Sequence, residues 1–322
     1  MSNSSEVRLV GLDFGSTTTS GVVARASIQS APDRPAELAD VAVEYRSSPV
    51  FTPFCGEALN EVRLAEWLDD WSRAAGLIGQ DIGGGGAIVT GLAARASNAQ
   101  IVRRLVQERF GQTLIATADD PALESWLAFM ANCRDLSLAE PARLFLNFDI
   151  GGGTTNVALG RAGEIRAVGC YQLGARHVRL KPGGYTIVGC SAVGRRLLDD
   201  LDIDRRDGDQ LLPSEVATIV DFIVASLEAL AAGPASEPFF IERSYLVDLP
   251  FMPGAAVDEA PVITYSGGVG ELVYRSSLGE DLPGTTAFGD LGIDLARRIK
   301  QSPLLSRCLT AYRPAALGRA TV

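Results

Sequence analysis

Histidine and cysteine are scarce in this 322-residue sequence, and their scarcity excludes several kinds of active site. The only histidine is His177, so a metal site built from several histidines is excluded, and a Ser-His-Asp or Cys-His mechanism has one candidate base. We predict that His177, within GARHVRL, is a plain surface or strand residue. The five cysteines are widely spaced and never form CxxC, which indicates reduced thiols. Chemistry is therefore expected from carboxylates, hydroxyls, backbone amides and a hard cation.

Long apolar runs and clusters of basic residues are also absent from the sequence. No run is long enough to span a bilayer, and the polar start MSNSSEVR lacks the pattern of a signal peptide. The formal net charge of −10 disfavours a nucleic-acid partner or an anionic membrane surface. These absences predict a cytoplasmic protein with neither kind of partner.

Strands and helices alternate along a chain that is long enough for two domains. Apolar runs predict strands, and apolar residues at helical spacing predict helices. The predicted strands are 7–12, 21–26, 87–90, 143–148, 156–160, 164–170 and 261–265. The predicted helices are 57–75, 99–110, one from Asp119 or Asp120 through ALESWLAFMA, and most of 192–232. The Pro- and Ala-rich segment 31–39 is predicted to be a loop, and the whole order favours an α/β fold.

One unit, a strand and a polar turn followed by a second strand, occurs twice with aspartate before glycine, at 7–26 and 143–160. A tight glycine-rich turn presents several backbone N–H groups to phosphate oxygens, and the hydroxyls of GSTTT and GGGTT add donors. Asp13 and Asp149 stand at strand ends, where they can hold Mg²⁺ directly or through water. Neither turn matches GxxxxGK[ST] or a helix-opening GxGxxG. Two such turns facing each other would bind a nucleotide from both sides.

The pentapeptide DIGGG occurs at 81 and again at 149, and only the second copy is predicted to bind phosphate. Asp149 follows an apolar strand, and hydroxyls follow its glycines. Asp81 follows a helix end and a loop, so Gly83 to Gly86 are interpreted as a loop that enters a strand.

A third glycine-rich motif, YSGGVGE at 265–271, ends the predicted strand 261–265. Its glycines suit close packing over a flat adenine and ribose, and Glu271 can accept hydrogen bonds from ribose hydroxyls. Each motif alone is also compatible with a plain turn. The order DxGSTTT, DIGGGTT, SGGVGE is far more specific than any one of them.

The three motifs in this order resemble the actin/Hsp70/sugar-kinase superfamily of ATPases. Further stretches, which together cover nearly the whole chain, resemble the ethanolamine ammonia-lyase reactivating factors, the EutA family. These stretches are SSPVFTPF at 47–54, GAIVTG at 86–91, RASNA at 95–99, ALES at 122–125, FLNFDIGGGTTNVAL at 145–159, HVRLKPGG at 177–184 and ITYSGGVGE at 263–271. SSPVFTP and the pair GAIVTG and RASNA are the more particular to this family.

The resemblance implies an α/β protein with the two-lobed actin-like ATPase fold, of the ribonuclease H-like type, with mixed sheets flanked by helices. The N-terminal lobe would be 1–142, with the first phosphate loop and an interdomain helix. The C-terminal lobe would be 143–322, with the second phosphate loop and the nucleoside loop. In the family a further helix returns between the lobes after the point where this sequence ends, so the C-terminal lobe is expected to lack it.

The resemblance also implies an ATP-dependent, chaperone-like factor that exchanges damaged cobalamin for intact cofactor on adenosylcobalamin-dependent ethanolamine ammonia-lyase. Asp13 and Asp149 would be the catalytic and Mg²⁺-binding carboxylates, and Asp149 would orient a Mg²⁺-bound or attacking water. The implied ATP- or ADP-binding residues are Gly15, Ser16, Thr17 and Thr18 in the first loop, Gly151, Gly152, Gly153, Thr154 and Thr155 in the second, and Gly267, Gly268, Gly270 and Glu271 at the nucleoside.

Two departures from the family keep other functions open. Leu92 stands where relatives carry a glutamate, and loss of a polar group near the cleft would slow hydrolysis without preventing binding. After ALES the family tends to have glycines, whereas Phe129 and Met130 here either fill the returning helix's space or repack an ordinary core. One alternative is a nucleotide-binding regulator or scaffold that has lost turnover. The other is a sugar kinase, which no acceptor-sugar motif supports.

Overall fold

The computed structural model describes residues 4–15, 18–31, 34–48, 50–55, 58–77, 82–111, 113–117, 120–233, 246–252 and 260–312. The chain forms two compact units, a first within Met1–Asp119 and a second within Asp120–Ala320. The helix that begins at Pro121 belongs to the second unit, whereas the lobes expected from the sequence meet between 142 and 143. Each helix in the described ranges is too short or too polar to cross a membrane.

The first unit is built on one mixed sheet. Its described strands are β1 (Ser4–Phe14), β2 (Thr18–Ala31), β3 (Arg34–Arg46), β4 (Val50–Phe51), β5 (Phe54–Cys55), β6 (Ala58–Leu59), β7 (Gly84–Val89) and β8 (Leu114–Thr117). The sheet has the order β3-β2-β1-β7-β8, with β4 paired to β2, and β5 pairs separately with β6. β1, β2 and β3 are antiparallel neighbours, whereas β7 is parallel to β1 and β8 is parallel to β7.

The helices described in the first unit are α1 (Glu61–Ala74), α2 (Gly91–Ala94) and α3 (Gln100–Phe110). α1 begins after Asn60, whose side chain accepts a hydrogen bond from the Arg63 N–H over 3.1 Å. Its buried Trp71 packs directly on Gly21 in β2, where a Cβ atom would lie 2.5 Å from Trp71 Cζ2. Glycine at this position therefore sets how closely the helix approaches the sheet.

The sequence prediction for segment 31–39 is wrong, because this segment is mostly strand. β3 begins at Arg34 and pairs with the end of β2, with Glu37 opposite Gln29. β3 has one strand neighbour in the described sheet, so it is an edge strand. Proline is tolerated on an edge strand because its missing N–H can face solvent. The Pro- and Ala-rich composition was therefore misread as a loop.

The second unit contains a second mixed sheet. Its described strands are β9 (Phe145–Ile150), β10 (Thr155–Arg161), β11 (Glu164–Tyr171), β12 (Val178–Leu180), β13 (Ile187–Cys190), β14 (Val247–Leu249) and β15 (Val262–Ser266). The sheet order is β14-β11-β10-β9-β15, and β12 pairs separately with β13. β9, β10 and β11 are antiparallel neighbours, and β15 is parallel to β9.

The helices described in the second unit are α4 (Pro121–Asn132), α5 (Arg134–Ala139), α6 (Ala192–Asp200), α7 (Pro213–Ala232), α8 (Gly267–Ser277), α9 (Gly292–Gln301) and α10 (Pro303–Ser306). α4 packs on the antiparallel part of the sheet, where the Ser125 hydroxyl donates to the Gly169 carbonyl over 2.7 Å. The fully buried Phe129 lies against Gly160, where any Cβ would collide with its ring.

Several helix boundaries differ from the sequence predictions. The helix predicted over 57–75 begins at Glu61, because Ala58 and Leu59 pair in β6 before it. The mostly helical region predicted over 192–232 is two helices, α6 and α7. The predicted turn SGGVGE is the start of α8, which follows β15 without an intervening loop.

The two units repeat one plan at the level of strand pairing. In the first unit β1 pairs antiparallel with the next strand and parallel with β7. In the second unit β9 pairs antiparallel with the next strand and parallel with β15. The repeated strand-turn-strand pattern of the sequence therefore corresponds to a repeated supersecondary structure.

Candidate functional site

The first candidate loop joins β1 to β2 through a tight turn. The Gly15 N–H donates to the Thr18 carbonyl over 3.0 Å. Asp13 lies within β1, is half-buried, and stands opposite Ser20. Thr18 is exposed at the start of β2. Of the predicted residues of this loop, Ser16 and Thr17 lie outside the described part of the chain.

Thr52, the residue after β4, supports the first loop. Its hydroxyl donates to the Gly15 carbonyl over 2.8 Å, so its oxygen accepts from the buried Thr19 hydroxyl, 3.0 Å away. The Thr90 N–H also donates to the Phe14 carbonyl over 2.9 Å. The carbonyls of Phe14 and Gly15, where β1 enters the turn, are thus held by neighbouring segments of the first unit.

The second candidate loop has the same turn geometry as the first. The Gly151 N–H donates to the Thr154 carbonyl over 2.9 Å. Ile150 pairs with Thr155 across this turn, just as Phe14 pairs with Thr19 across the other. Asp149 therefore occupies the position in the second loop that Asp13 occupies in the first. The second loop has a longer run of glycines than the first but forms an equivalent turn.

Segment 174–177 holds three successive carbonyl groups of the second loop. The Ala175 and Arg176 N–H groups donate to the carbonyls of Gly151 and Gly152 over 3.2 and 2.7 Å. Nε2 of the His177 ring is 2.7 Å from the Gly153 carbonyl oxygen. The N–H groups of Gly152, Gly153 and Thr154 donate no hydrogen bond within the part of the chain that the structure describes. The loop thus has satisfied acceptors on one side and unused donors on the other.

His177 is buried, contrary to the prediction of a plain surface or strand position. It lies just before β12, with its ring between the loop and Ser191, whose hydroxyl oxygen is 2.7 Å from Nδ1. Burial lowers the pKa of His177, so the ring is neutral at pH 7. A single histidine gives no sequence signal of such a contact, because its partners are backbone groups.

Asp149 is the end of a chain of buried hydrogen bonds across β9 and β15. The Ser266 hydroxyl donates to Asp149 Oδ1 over 2.9 Å, and the Asn147 amide donates to the Ser266 oxygen over 3.0 Å. Thr264 donates to Asn147 Oδ1 over 3.1 Å, and Cys133 Sγ lies 2.9 Å from the Thr264 hydroxyl. Burial raises the pKa of the Cys133 thiol to about 12, so the thiol is protonated and can be the donor. The carboxylate therefore has a fixed orientation.

Asn156 in β10 and Glu124 in α4 form a further buried polar pair next to Asp149. Asn156 stands directly opposite Asp149 in the antiparallel pair, and its amide donates to Glu124 Oε2 over 2.9 Å. Both side chains are buried. Neither residue was predicted to belong to the site, although Glu124 lies in the ALES stretch and Asn156 follows the glycine run.

The third motif meets the second at Gly267, the first residue of α8. Gly267 has φ +75°, and a Cβ there would lie 2.6 Å from the Ile150 carbonyl oxygen and 2.9 Å from Asp149 Oδ1. Ser266 makes no side-chain cap for α8 because its hydroxyl binds Asp149. Among the described residues, the first N–H groups of α8 therefore lack the usual side-chain cap at this end.

The remaining predicted nucleoside residues differ in exposure. Gly268 is exposed, with open space where a side chain would begin, and Glu271 is exposed on α8. Gly270 is buried, and a Cβ there would lie 3.0 Å from the Tyr265 carbonyl carbon, so this glycine serves packing. Thr155, which was predicted for the second phosphate loop, has its hydroxyl engaged inside the second unit. This hydroxyl donates to the Leu173 carbonyl over 2.5 Å.

The first DIGGG copy has a structural role in the described residues. Gly84, Gly85 and Gly86 lie in β7 beside β1, and the Gly83 N–H donates to the Arg8 carbonyl over 2.9 Å. A Cβ at Gly85 would lie 2.5 Å from the Val10 carbonyl oxygen. Asp81 lies outside the described residues, as does the side chain of Leu92.

A family model described as "Ethanolamine utilisation protein EutA" matches residues 5–322. The chain belongs to the EutA family. The ethanolamine ammonia-lyase reactivases EutA of Salmonella typhimurium and Escherichia coli are each 30% identical over 99% of this chain and 67% of their own lengths. An exopolyphosphatase-like protein of known crystal structure is 12% identical with a TM-score of 0.52, covering 96% of this chain and 92% of its own. The predicted α/β fold of the actin-like ATPase type is confirmed.

The EutA stretches recognised in the sequence surround the two loops. Thr52 of SSPVFTPF supports the first loop, and Glu124 of ALES binds Asn156 behind the second. His177 of HVRLKPGG contacts the Gly153 carbonyl. Three of these stretches therefore contribute side chains that contact a glycine-rich turn or lie behind it.

Proposed function

We propose that the second loop of this EutA protein binds the phosphate groups of ATP or ADP. The observation that carries this proposal is the row of unused N–H groups on Gly152, Gly153 and Thr154, with the loop carbonyls held on the opposite side. Successive backbone N–H groups form a concave site for an anion. The N-terminus of α8, at Gly267 beside Asp149, adds its partial positive charge.

Asp13 and Asp149 are proposed to hold Mg²⁺. Magnesium in nucleotide sites usually takes one or two carboxylates and completes its coordination with water and phosphate oxygens, so each of these carboxylates is a suitable ligand by its chemistry. No group of three or more metal-ligating side chains occurs among the described residues, so phosphate and water would complete the shell. Bound Mg²⁺ would neutralise charge on the phosphate oxygens. Asp149, whose orientation Ser266 holds, would position the attacking water.

The first loop and the start of α8 are proposed to complete the nucleotide-binding residues. Gly15 and Thr18 form the same turn as the second loop, and the proposal for Ser16 and Thr17 rests on the sequence. Gly267, Gly268 and Glu271 are proposed to contact the nucleoside. The open space at Gly268 and the exposure of Glu271 support this role.

At the level of the whole protein, we propose a cytoplasmic, ATP-dependent, chaperone-like reactivating factor for adenosylcobalamin-dependent ethanolamine ammonia-lyase. Its slow Mg²⁺-dependent ATP hydrolysis would be coupled to exchange of damaged cobalamin for intact cofactor. Support comes from family membership and from two relatives that carry the name of ethanolamine ammonia-lyase reactivase.

The test combines the protein with ethanolamine ammonia-lyase whose cobalamin has lost its adenosyl group. Phosphate release, cobalamin release and recovered ammonia production are measured with Mg·ATP, with Mg·ADP and without Mg²⁺. We expect all three signals with Mg·ATP and intact adenosylcobalamin, and their loss in Asp149→Asn. Nucleotide binding without phosphate or cobalamin release would favour a regulator or scaffold instead. Phosphate transfer to a panel of sugars would favour a sugar kinase.

A further inference from the structure

We propose that His177 is a positioning residue for the second loop: its ring holds the peptide between Gly153 and Thr154 so that the Thr154 N–H is presented to a bound phosphate. The inference rests on the proposed nucleotide binding of that loop. It concerns the part of the loop that, among the described residues, is held by a side chain and not by backbone N–H groups.

Three peptide planes define the direction of the unused donors. A trans peptide is planar, and its C=O and N–H point in opposite directions, so a bond that holds the carbonyl also orients the N–H. The carbonyls of Gly151 and Gly152 are held by backbone N–H groups of 175 and 176. The carbonyl of Gly153 is held by the His177 ring alone among the hydrogen bonds of the described residues. A substitution can therefore release the third plane while the first two stay held.

The hydrogen bonds around the ring define its tautomer. The Gly153 carbonyl can only accept, so Nε2 carries the proton and donates to it. In the neutral ring Nδ1 is then an acceptor, and the Ser191 hydroxyl donates to it over 2.7 Å. The Ser191 oxygen in turn accepts from the Gly194 N–H over 3.0 Å at the start of α6. Ser191, at the N-terminus of α6, thus orients the His177 ring. The ring in turn orients the peptide between Gly153 and Thr154.

Two glycines allow close approach of the backbone on both sides of this contact. A Cβ at Gly194 would overlap the His177 carbonyl oxygen, and a Cβ at Gly174 would overlap the Gly152 carbonyl oxygen. These approaches bring α6 close to the His177 backbone and segment 174–177 close to the loop, while the buried ring is held by its two hydrogen bonds. The residues packed around the loop therefore hold it in place.

The first test compares Mg·ATP affinity in three variants by titration calorimetry. In His177→Gln the side-chain amide reaches the Nε2 position and can still donate to Gly153, whereas in His177→Asn it reaches only the Nδ1 position. For His177→Gln we expect a dissociation constant within about 3-fold of wild type. For His177→Asn we expect a value about 10-fold higher, as for the loss of one hydrogen bond to a charged ligand. Val178→Ala, which removes buried methyl groups from the next residue, controls for general loss of stability.

The outcomes separate the two proposals. Wild-type protein that gives no saturable Mg·ATP binding would contradict the proposed function itself. Wild-type binding with equal affinities for the Gln and Asn variants, or an Asn effect no larger than that of Val178→Ala, would overturn the role of His177 alone.

A second test needs no substitution, because the sequence contains one histidine. Nitrogen-15 spectra of histidine-labelled protein report a single imidazole. We expect the neutral Nε2–H tautomer at pH 7, with a shift when Mg·ATP binds. A protonated ring or the Nδ1–H tautomer would overturn the inference even where the variants fail to fold.

Discussion

The Ser266 hydroxyl donates a hydrogen bond to Asp149 Oδ1 over 2.9 Å, across the parallel pair β9 and β15. This bond joins Ser266, the last residue of β15 and a member of the third glycine motif, to the aspartate of the second motif. It also explains why Ser266 does not cap α8, although serine is a favoured N-cap residue. Because the Ser266 hydroxyl binds the carboxylate, it does not cap the helix. The first N–H groups of α8 are therefore left for other partners.

Removing this hydroxyl is expected to reduce stability. Ser266→Ala removes this donor from Asp149 Oδ1 and this acceptor from the Asn147 amide, both in a buried environment. We expect the free energy of unfolding to fall by about 1–3 kcal/mol, as for buried polar groups that lose a partner. Urea unfolding measures the change.

Ser226→Ala is the matched control for this substitution. Ser226 is equally buried in the second unit, but its hydroxyl donates only to the Phe222 carbonyl within α7. Its loss leaves no second side chain unpaired, so we expect a change below about 1 kcal/mol. Equal effects of the two substitutions would mean that the Asp149 contact adds nothing.

Thr52 is predicted to stabilise the first loop through its hydroxyl. Thr52→Val keeps the shape of the side chain but leaves the Gly15 carbonyl and the buried Thr19 hydroxyl without this partner. We expect a loss of about 1–2 kcal/mol in the free energy of unfolding. Thr52→Ser, which keeps a hydroxyl, should recover most of it. A valine variant as stable as wild type would refute this role.

Asp149 is predicted to be required for hydrolysis. Asp149→Asn retains an oxygen that can accept from Ser266, so the fold should persist while the negative charge is lost. We expect phosphate release from Mg·ATP to fall about 100-fold, within the range for loss of a group that orients the attacking water. Asp221→Asn, an exposed carboxylate paired with Arg298 on the surface, is the control and should leave hydrolysis unchanged. Full activity in Asp149→Asn would exclude the proposed role.

Stability is predicted to depend on pH through His177. Burial lowers the pKa of His177 in the folded protein below its ordinary value of 6.5. The unfolded chain therefore binds a proton that the native state does not, and stability is lost as pH falls below 6.5 toward the folded pKa. The slope from this group reaches at most about 1.4 kcal/mol per pH unit. Urea unfolding between about pH 7.5 and 5.5 should give a smaller slope for His177→Gln. Identical slopes would contradict the prediction.

Much of the fold was predictable from local sequence patterns. Apolar runs located β1 and β9, and the placement of Asp13 and Asp149 near the ends of these strands is confirmed. The helix predicted to start at Asp119 or Asp120 with Pro121 is α4, and Asp120 is its cap, because the Asp120 carboxylate accepts from the Ala122 N–H. These signals are local, so a single sequence carries them.

The support of the candidate site was less predictable, because it depends on contacts between distant residues. His177 binds a backbone carbonyl, and Thr52 binds the carbonyl of Gly15, so neither contact leaves a side-chain pattern. The start of α8 was misread as a turn because Gly267 and Gly268 are poor helix formers. Gly267 is nevertheless favoured there by its positive φ and its close approach to Ile150.

The most direct test of the account is the response of the loop amides to nucleotide. In nitrogen-15-labelled protein, the amide signals of Gly152, Gly153 and Thr154 would be followed during titration with Mg·ATP. We expect these three signals to shift in a saturable way, because their N–H groups become donors to phosphate oxygens. Saturable shifts confined to other parts of the chain, or no saturable shift at all, would contradict the assignment of this loop as the phosphate site.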